Sequence, residues 1–412
     1  MVFFSNKNMM KFIGTLCAFL ILSCFSVSVT AKNVVMETKE DAEVFAYIGA
    51  RYQKVATLFA RQHFPLSIPD KSGDVLAVPF GNDMGFVPQI AFSIKSETKS
   101  AVKKRGVLQG YVITINPTVI YSENNENTPQ FAFIEADLRY PFIGTAVDKQ
   151  GESWYQVELA GKRGYIKAKE VQPDNGIPIL MYHHVLRDEE NRNYRNTPTT
   201  VSDKALRFQF ETLKELGFIT IRLNSLEKYL QGKINLPAKA VVLTFDDGLK
   251  SVYRYAYPLL KEYDFTATLF VITSRIQAKP QDWEPDTLQF LSTSEYQAMQ
   301  DITDLQSHSH SLHHYKNFKP AVLEADNPTM HVDLNLSKQE LGKLNAKTTY
   351  LAYPFGAYTP DFLSIVKSSG FTLGLTTKWG KVRFADDPFL LKRIYFTSQT
   401  KKSDMIEALR NQ

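Results

Sequence analysis

The second half of the chain is predicted to be an α/β fold, a barrel of parallel β/α units, on three observations. After residue 177, short aliphatic runs alternate with segments of helical periodicity, as in strands joined by helices in a parallel sheet. Several of these runs have no polar face, which is typical of strands buried on both sides. Acids, histidines or a Pro-Gly turn follow directly after four of the runs, and a barrel gathers such groups at one rim.

The predicted elements of this half alternate along the chain. A barrel is the simplest arrangement for that order. The predicted strands cover residues 177–181, 240–245, 267–272, 304–307, 349–353 and 373–377. The predicted helices cover residues 204–216, 224–231 and 251–263, a segment that begins near residue 294, and residues 337–344 and 360–369.

The region before the barrel has the pattern of small β structure with an internal echo. Residues 76–87 align without gaps on residues 155–166, and each copy has alternating apolar positions around a glycine-containing turn, which predicts a hairpin. The second copy follows Trp154 and resembles the ending of bacterial SH3-like domains, whereas the first copy resembles it more loosely. We therefore predict small all-β SH3-like modules over residues 44–94 and 107–172.

The SH3-like resemblance implies attachment to a cell wall or to a glycan. A spacer, or a packing partner for the barrel, is the alternative role. Residues 95–106 are polar and basic, which predicts an exposed linker between the modules rather than a binding patch. Residues 173–176 form a turn-prone cluster that marks the boundary to the barrel domain, predicted over residues 177–400.

Residues 1–31 are predicted to be a signal peptide, because two lysines precede an apolar stretch and small residues come before Lys32. One alternative is a retained membrane anchor, since the apolar stretch approaches the ~20 residues that span a bilayer. The other is a lipoprotein cleavage site at Cys24. All three place the rest of the chain outside the cytoplasm, secreted or associated with the cell surface or cell wall. A membrane contact is expected only if the leader is retained or lipidated.

Composition excludes several classes of function. The chain of 412 residues is 44% hydrophobic and 22% charged, an ordinary globular composition. Its formal net charge is +5 without a dense basic run, so nucleic acid is not an expected partner. Both cysteines, Cys17 and Cys24, lie in the leader. The exported part therefore has no disulfide, thiolate ligand or cysteine nucleophile.

Two neighbouring acids end the most apolar of the predicted strands. Asp246 and Asp247 follow residues 240–245 and precede Gly248. Adjacent side chains on an extended backbone point to different sides, so one carboxylate can bind a metal while the other faces a substrate or a water. A solvated Asp-Gly turn is the alternative.

Six of the eight histidines fall in two clusters, His183 with His184, and a group of four within seven positions. Neutral imidazole is the commonest protein ligand for zinc-like ions. Two histidines and one carboxylate leave coordination positions open, which is the catalytic rather than the structural pattern. The second cluster consists of His308, His310, His313 and His314.

These motifs together resemble a known family. Residues 244–248, the histidines from 308 onwards and residues 352–358 resemble, in order, the first three motifs of the NodB-like polysaccharide deacetylases, carbohydrate esterase family 4. The segment 182–185, Tyr-His-His-Val, resembles the branch that contains poly-β-1,6-N-acetylglucosamine deacetylases. The resemblance covers roughly residues 177–400. It implies a deformed (β/α)7 barrel, a divalent metal and hydrolysis of the N-acetyl group of N-acetylglucosamine units.

Roles carry over residue by residue from this resemblance. It implies that Asp246 is the general base and Asp247 a metal ligand. For the histidine ligands it favours His308 with His313, and the pair His310 with His314 is the alternative. Zinc is the expected metal, with cobalt or nickel as alternatives, and no other cofactor is expected. The residues implied to contact the substrate are Tyr353, Pro354, Phe355 and Gly356.

The general acid is less directly implied, because the chain departs from the family pattern twice. Residues 351–354 lack the arginine that many members have there, and residues 391–394 lack a Leu-x-His motif. His183 is the candidate acid, with a hydrogen bond to the catalytic Asp as its alternative role. Arg393 and His183 are expected to replace the missing groups. Trp379 and Tyr358 are candidates to stack on a sugar, or else they pack in the core.

The predicted function is metal-dependent removal of N-acetyl groups from an extracellular or cell-wall polysaccharide. Poly-N-acetylglucosamine and peptidoglycan are the two candidate substrates. The alternative is a non-catalytic protein that binds cell-wall glycan through the SH3-like modules. The metal content of the purified protein distinguishes these two functions.

Overall fold

The computed structural model describes residues 31–49, 51–69, 73–97 and 106–410. The predicted signal peptide, with both cysteines, lies outside these residues except for Ala31. Most of the predicted basic linker also lies outside them. Within the described residues, no helix has both the length and the apolar character needed to cross a bilayer.

The N-terminal region is built from strands. Among its described residues the strands are β1 (Ala31–Thr38), β2 (Ala42–Ile48), β3 (Arg51–Leu58), β4 (His63–Pro69), β5 (Val75–Phe80), β6 (Asp83–Pro88), β7 (Phe92–Glu97), β8 (Gly110–Thr114), β9 (Thr118–Tyr121), β10 (Gln130–Ile134), β11 (Leu138–Phe142), β12 (Gly144–Val147), β13 (Ser153–Leu159), β14 (Lys162–Lys167) and β15 (Val171–Pro173). Short 3₁₀ turns occur at Gln89–Ala91 and Ala168–Glu170.

Both predicted hairpins form, as β5–β6 and β13–β14. They belong to one nine-stranded sheet, in the order β12-β13-β14-β9-β10-β3-β2-β6-β5, and they meet where Leu159 of β13 pairs with Phe80 of β5. Their inward side chains, such as Val78 and Val157, lie in one hydrophobic cluster. The two echoed segments therefore share a core, and the SH3-like assignment itself stays a prediction.

The prediction of a linker over residues 95–106 is wrong for residues 95–97, which belong to a strand. Strand β7 continues to Glu97 and pairs with β1, and Lys95 Nζ lies 2.6 Å from Glu37 Oε2. Strand β7 is at the edge of the three-stranded sheet β4-β1-β7. Charged side chains are common on edge strands because they discourage pairing with other chains, so an edge strand can look like a linker in sequence.

The second half of the chain contains the remaining strands. They are β16 (Ile179–Tyr182), β17 (His184–Leu186), β18 (Thr200–Ser202), β19 (Ile219–Thr220), β20 (Leu236–Pro237), β21 (Ala240–Phe245), β22 (Ala267–Val271), β23 (Thr303–Ser307), β24 (Tyr315–Lys316), β25 (Lys319–Pro320), β26 (Tyr350–Ala352), β27 (Leu373–Trp379) and β28 (Leu391–Tyr395).

Seven of these strands form a closed parallel barrel. The order is β16-β28-β27-β26-β23-β22-β21, and β16 also pairs with β21, which closes the ring. The six predicted strands all form. The seventh, β28, was not predicted, because Lys392 and Arg393 interrupt its apolar pattern. Arg393 is nevertheless fully buried.

Helices surround the barrel. They are α1 (Asp203–Glu215), α2 (Leu223–Leu230), α3 (Tyr257–Glu262), α4 (Thr293–Met299), α5 (Asn327–Gly342), α6 (Pro360–Ser368) and α7 (Lys402–Leu409). A π-helical stretch, Val252–Ala256, leads into α3. Helix α5 begins ten residues before its predicted start at residue 337. The Asp326 side chain accepts a hydrogen bond from Thr329 N at 2.9 Å and caps it there.

The two halves of the chain are joined by backbone pairing and a buried ion pair. Strand β20 pairs with β11 of the N-terminal region. Arg139, 1% exposed, donates to Asp174 Oδ2 at 2.9 Å, to Pro237 O at 2.9 Å and to Gly176 O at 3.1 Å. The turn at residues 173–176, predicted as a boundary, is therefore tied to both regions.

Candidate active site

The predicted site residues come together at the carboxyl ends of the barrel strands. His183 follows β16, Asp246 and Asp247 follow β21, and His308 follows β23. His183 Nε2 lies 3.9 Å from Asp246 Oδ2, and His308 Nε2 lies 3.5 Å from Asp247 Oδ1. The turn that begins at Pro354 follows β26 on the same rim. A parallel barrel produces this convergence because all its strands end on one side.

A carboxylate and two imidazoles form a cluster that could hold a metal ion. The Nε2 atoms of His308 and His313 each lie 3.5 Å from Asp247 Oδ1, and the three ligand atoms lie within 4.8 Å of one another. Ligands at about 2.0–2.2 Å from zinc in tetrahedral geometry are about 3.4 Å apart. Within the part of the chain that the structure describes, Asp247 Oδ1 is buried and has no hydrogen-bond partner. The donor set and its spacing therefore fit a divalent metal.

The backbone is strained where these groups are presented. Asp247, Ser309 and Phe355 have positive φ angles of 71°, 70° and 57°, a region that costs about 1–3 kcal/mol for residues other than glycine. Each belongs to one of the segments that follow a barrel strand. Such strain persists only when the surrounding structure holds it, and it is common at functional sites.

The loop between His308 and His313 is held from helix α5. Asp333, 4% exposed, accepts hydrogen bonds from His310 N at 2.8 Å and from Ser311 N at 2.7 Å. One turn further along α5, Ser337 Oγ lies 2.7 Å from Ser307 Oγ. The sequence reasoning missed Asp333. In the sequence, this role is indicated only by two polar residues four positions apart, Asp333 and Ser337. They lie in a helix whose predicted start, residue 337, was too late.

The other two histidines of the cluster make different contacts. His310 Nδ1 lies 3.0 Å from Thr273 Oγ1, and the exposed His314 has Nδ1 2.9 Å from Ser311 O. In contrast, His308 Nδ1 lies 2.8 Å from Ala352 O, so its Nε2 faces Asp247. Among the described residues, the geometry thus groups His308 and His313, and not the alternative pair, with the carboxylate.

Asp246 is paired with the arginine of the unpredicted seventh strand. Arg393 Nη1 and Nη2 donate to Asp246 Oδ1 and Oδ2, each at 2.8 Å, and both side chains are buried. Burial alone would raise the pKa of Asp246. The charges of Arg393 and His308 outweigh burial and hold this pKa below its usual value. Asp246 is therefore an anion with a fixed orientation.

The pKa shifts of Asp247 and His313 favour the deprotonated forms that bind a metal, whereas the pKa shift of His308 does not. Burial alone would raise the pKa of Asp247, but the contact with His308 and the neighbouring imidazoles hold it below its usual value. Burial and the charge of His308 lower the pKa of His313 to about 4. Burial would also lower the pKa of His308, but Asp247 and Asp246 raise it. His308 would release its proton on binding a metal.

His183 and His184 point to different surroundings. Burial lowers the pKa of His183, and the charges of Asp246 and Asp247 offset this in part. His184 has Nδ1 2.7 Å from Ser251 Oγ, and burial lowers its pKa to about 4. His183 is thus the member of this pair that lies beside the catalytic candidate Asp246.

The predicted substrate-binding turn offers fewer side chains than expected. Tyr353 is buried, and its hydroxyl donates to Phe389 O at 2.9 Å, so its side chain is not available to a substrate. Pro354 is buried as well. Phe355 stacks on His313 with ring centroids 4.1 Å apart. Phe355 and Gly356, both half-buried, present the accessible surface of this turn.

The two candidate sugar-stacking residues differ in exposure. Tyr358 is half-buried, packs against Tyr353 and accepts a hydrogen bond from Lys378 Nζ at 2.8 Å. Trp379 is 54% exposed. Core packing therefore accounts for Tyr358, whereas Trp379 has a free face.

Comparison with known proteins agrees with this geometry. Residues 233–374 match the family described as polysaccharide deacetylase. The poly-beta-1,6-N-acetyl-D-glucosamine N-deacetylase of Staphylococcus aureus is 29% identical over 240 residues, which cover 54% of this chain and 79% of the relative. The protein of that name from Staphylococcus epidermidis is 29% identical over 244 residues, which cover 58% of this chain and 80% of the relative.

Two solved structures have the same barrel. The deacetylase PplD of Streptococcus pyogenes, in complex with acetate, has a TM-score of 0.50 and 28% identity, and covers 57% of this chain and 98% of its own. IcaB from Ammonifex degensii has a TM-score of 0.50 and 27% identity, and covers 57% of this chain and 97% of its own.

Barrel, site and matches define the class of the second half of the chain, which contains a polysaccharide deacetylase domain of the NodB-like carbohydrate esterase family 4. Within that class it closely resembles the poly-β-1,6-N-acetylglucosamine deacetylases, IcaB among them. The family match lies entirely within the second half of the chain.

Proposed function

We propose that this chain is an exported, metal-dependent enzyme that removes acetyl groups from N-acetylglucosamine units of a poly-β-1,6-N-acetylglucosamine-type polysaccharide. The observation that carries the proposal is the Arg393-fixed carboxylate of Asp246 beside the cluster of Asp247, His308 and His313. The names of the Staphylococcus relatives support this substrate over peptidoglycan.

Asp247, His308 and His313 are the residues that would hold the metal. When bound, a divalent ion of this kind polarises a carbonyl oxygen and lowers the pKa of water. Nitrogen and oxygen ligands suit zinc and admit cobalt or nickel. The hydrogen bond from His308 to Ala352 O keeps the imidazole in the orientation that a ligand needs.

Asp246 is the general base in this proposal. Its carboxylate accepts a proton from the attacking water, whose oxygen forms a bond to the carbonyl carbon of the acetamide. The two hydrogen bonds from Arg393 fix the direction of the carboxylate. They also keep it ionised, which is the form that can accept a proton.

His183 is the group that we assign to protonate the leaving nitrogen. The bond between the carbonyl carbon and nitrogen breaks, acetate is released, and the nitrogen leaves as an amine after it receives a proton. Because burial lowers the pKa of His183, the imidazole has to gain this proton during the reaction. Asp246 Oδ2 lies 3.9 Å from His183 Nε2, and the imidazole can take the proton from this carboxylate once the His183 side chain moves closer to it.

The backbone amide of Phe355 is the donor that we assign to the negative charge that develops on the acetamide oxygen. The other residues of this turn have no amide to offer. Tyr353 N donates to Leu375 O, Gly356 N donates to Tyr353 O, and Pro354 has no amide hydrogen. A preorganised backbone donor of this kind typically contributes about 2.7–4 kcal/mol to stabilisation of the transition state.

Localisation and the role of the N-terminal strands belong to the same proposal. The leader, predicted from sequence, would export the chain to the compartment where such a polysaccharide lies. The SH3-like modules, predicted from sequence, would attach the enzyme to the cell wall. The same modules would serve a non-catalytic wall-binding protein. The buried Asp247 Oδ1 beside two histidines, which has no hydrogen-bond partner in residues that the structure describes, favours the enzyme.

Release of acetate and of free amines tests the proposal. Purified protein is reconstituted with Zn²⁺ and incubated with β-1,6-linked N-acetylglucosamine oligomers and with peptidoglycan. Asp247→Ala and His308→Ala should abolish release, whereas His314→Ala should retain it, because His314 is exposed and outside the cluster. Absence of release by the wild type with its metal bound would overturn the deacetylase proposal and favour a binding protein.

A further inference from the structure

We propose that Trp379 and Tyr395 form a second sugar-binding position, which holds a unit of the polysaccharide beyond the one being deacetylated. The inference rests on the proposed function and extends it to the length of substrate that the enzyme recognises. We refer to these two side chains as the aromatic corner.

The aromatic corner is exposed and has a defined shape. Trp379 is 54% exposed and Tyr395 is 45% exposed. Their ring centroids lie 5.3 Å apart, and their planes meet at 88°. Each ring supports the other edge to face, which fixes its orientation before any ligand arrives. Two such rings offer apolar faces of the kind on which the C–H face of a sugar ring can stack.

Tyr395 connects the corner to the candidate active site. It is the last residue of β28 and pairs in the sheet with Met181. Tyr395 lines a small pocket of about 140 Å³ together with His183 and also lines, with Trp379, a cleft of about 900 Å³. Two residues earlier on β28, Arg393 holds Asp246. A polymer seated at the acid-base pair can therefore continue over the aromatic corner.

The cleft is open because no helix covers the barrel between β27 and β28, within the described residues. The segment 380–390, all of it described, connects β27 to β28 without a helix. Helix α7 borders the other side of the cleft, through residues such as Asp404 and Glu407. The volume lies within the range of about 300–1,000 Å³ that is typical of ligand sites.

The lining of the cleft fits a carbohydrate better than a protein partner. Charged side chains of both signs line it, and they can hydrogen-bond hydroxyl and acetamide groups. The cores of protein interfaces are instead depleted in charged residues. We therefore assign the cleft to the continuing polysaccharide chain. The charged lining includes Lys381, Arg383, Lys392, Asp404 and Glu407.

Dependence of the reaction on substrate length tests this inference. Acetate release is measured with β-1,6-linked N-acetylglucosamine oligomers from dimer to hexamer, for wild type, Trp379→Ala and Tyr395→Ala. The wild type should have a lower KM for the longer oligomers. Each variant should lose most of that advantage, with KM for the hexamer raised about tenfold and kcat little changed, since stacking contributes to binding rather than to bond breaking.

Tyr47→Ala is the matched control, because Tyr47 is 55% exposed and lies in β2 of the N-terminal region. It should keep the wild-type length dependence. A wild type without length preference, or variants that retain it, would overturn the aromatic corner while leaving the proposed function standing.

A second readout separates failure of the corner from failure of the proposed function. The intrinsic fluorescence of wild type and Trp379→Phe is titrated with the hexamer. If the wild type deacetylates no oligomer, the proposed function is overturned. In that case a hexamer-dependent fluorescence change that Trp379→Phe loses would still support the corner, and its absence in the wild type would overturn the corner as well.

Discussion

The two halves of the chain each bury an arginine against an aspartate, yet the surroundings of the two pairs suit different roles. In the N-terminal region, Arg139 donates hydrogen bonds to Asp174 and to two backbone carbonyls, which are groups of the scaffold. In the barrel, Arg393 holds both oxygens of Asp246 at the rim. Burial and pairing are the same, so they cannot by themselves indicate function.

The difference lies in what surrounds each aspartate. Asp174 also accepts a hydrogen bond from the Tyr229 hydroxyl, within a boundary between two regions. Asp246 adjoins His183 and the cluster that contains Asp247, whose Oδ1 has no hydrogen-bond partner among the described residues. From these surroundings we infer that Asp246 and Arg393 form a functional pair, and that Asp174 and Arg139 form a structural one.

Metal removal should have the largest effect, and it should show most clearly that the two halves of the chain have different roles. Chelation is expected to lower acetate release by at least about 10³-fold, because polarisation by the metal contributes several kcal/mol. Circular dichroism should change little, since the cluster lies at the rim and not in the core. Activity should return with added Zn²⁺. Full activity in protein verified to be free of metal would contradict the assignment of Asp247, His308 and His313.

Matched substitutions of the two arginines come next. Arg139→Met and Arg393→Met each leave a buried aspartate without the positive charge that pairs with it, so each should lower the free energy of unfolding by about 3–5 kcal/mol in urea titrations. Only Arg393→Met should also lower kcat under conditions where both variants are folded. Equal loss of kcat in both variants would mean that the pairs do not differ in function.

Replacement of Asp333 should weaken metal binding, because Asp333 holds the loop between His308 and His313. Asp333→Asn keeps the size of the side chain but places an amide group against backbone N–H donors. The affinity for Zn²⁺ should fall about 10–100-fold in competition with a chelating dye. The visible spectrum of bound Co²⁺ should change as well, because the positions of His308 and His313 shift.

Asp326→Ala is the control on the same helix. Asp326 caps α5, and its loss should cost about 1 kcal/mol of stability without changing affinity for Zn²⁺. If both variants lowered stability alone and left Zn²⁺ affinity unchanged, Asp333 would be an ordinary structural residue.

Tyr229→Phe should give the smallest effect. It removes one hydrogen bond to Asp174 and leaves Arg139 in place, so the free energy of unfolding should fall by about 0.5–1.5 kcal/mol. Acetate release should stay at the wild-type level. A clear loss of activity would show that the boundary between the two halves influences the catalytic site.

Much of the barrel and its rim could be predicted from local patterns. Strand β21 is apolar along its whole length and is followed by Asp246 and Asp247, so both the strand and the placement of the acids at its end were evident in the sequence. Most of the six predicted strands contain an apolar run, and residues 304–307 are the exception, with Leu305 as their one apolar residue. Strand β28 was missed because Arg393 is buried only by virtue of its partner on another strand, and a local pattern cannot contain that partner.

The alternation of strands and helices, the two hairpins before them and the set of acids and histidines at the strand ends are local features, and they could be recognised in the sequence. Three features became visible only in the folded chain. The two hairpins share one core, His308 and His313 rather than His310 and His314 face Asp247, and Arg393 and Asp333 contact the site from other elements. The two groups of features differ in the range of the interactions that produce them. Periodicity and turns depend on neighbours along the chain, whereas ligand geometry and the pairing of buried charges depend on groups that only the closed barrel brings together.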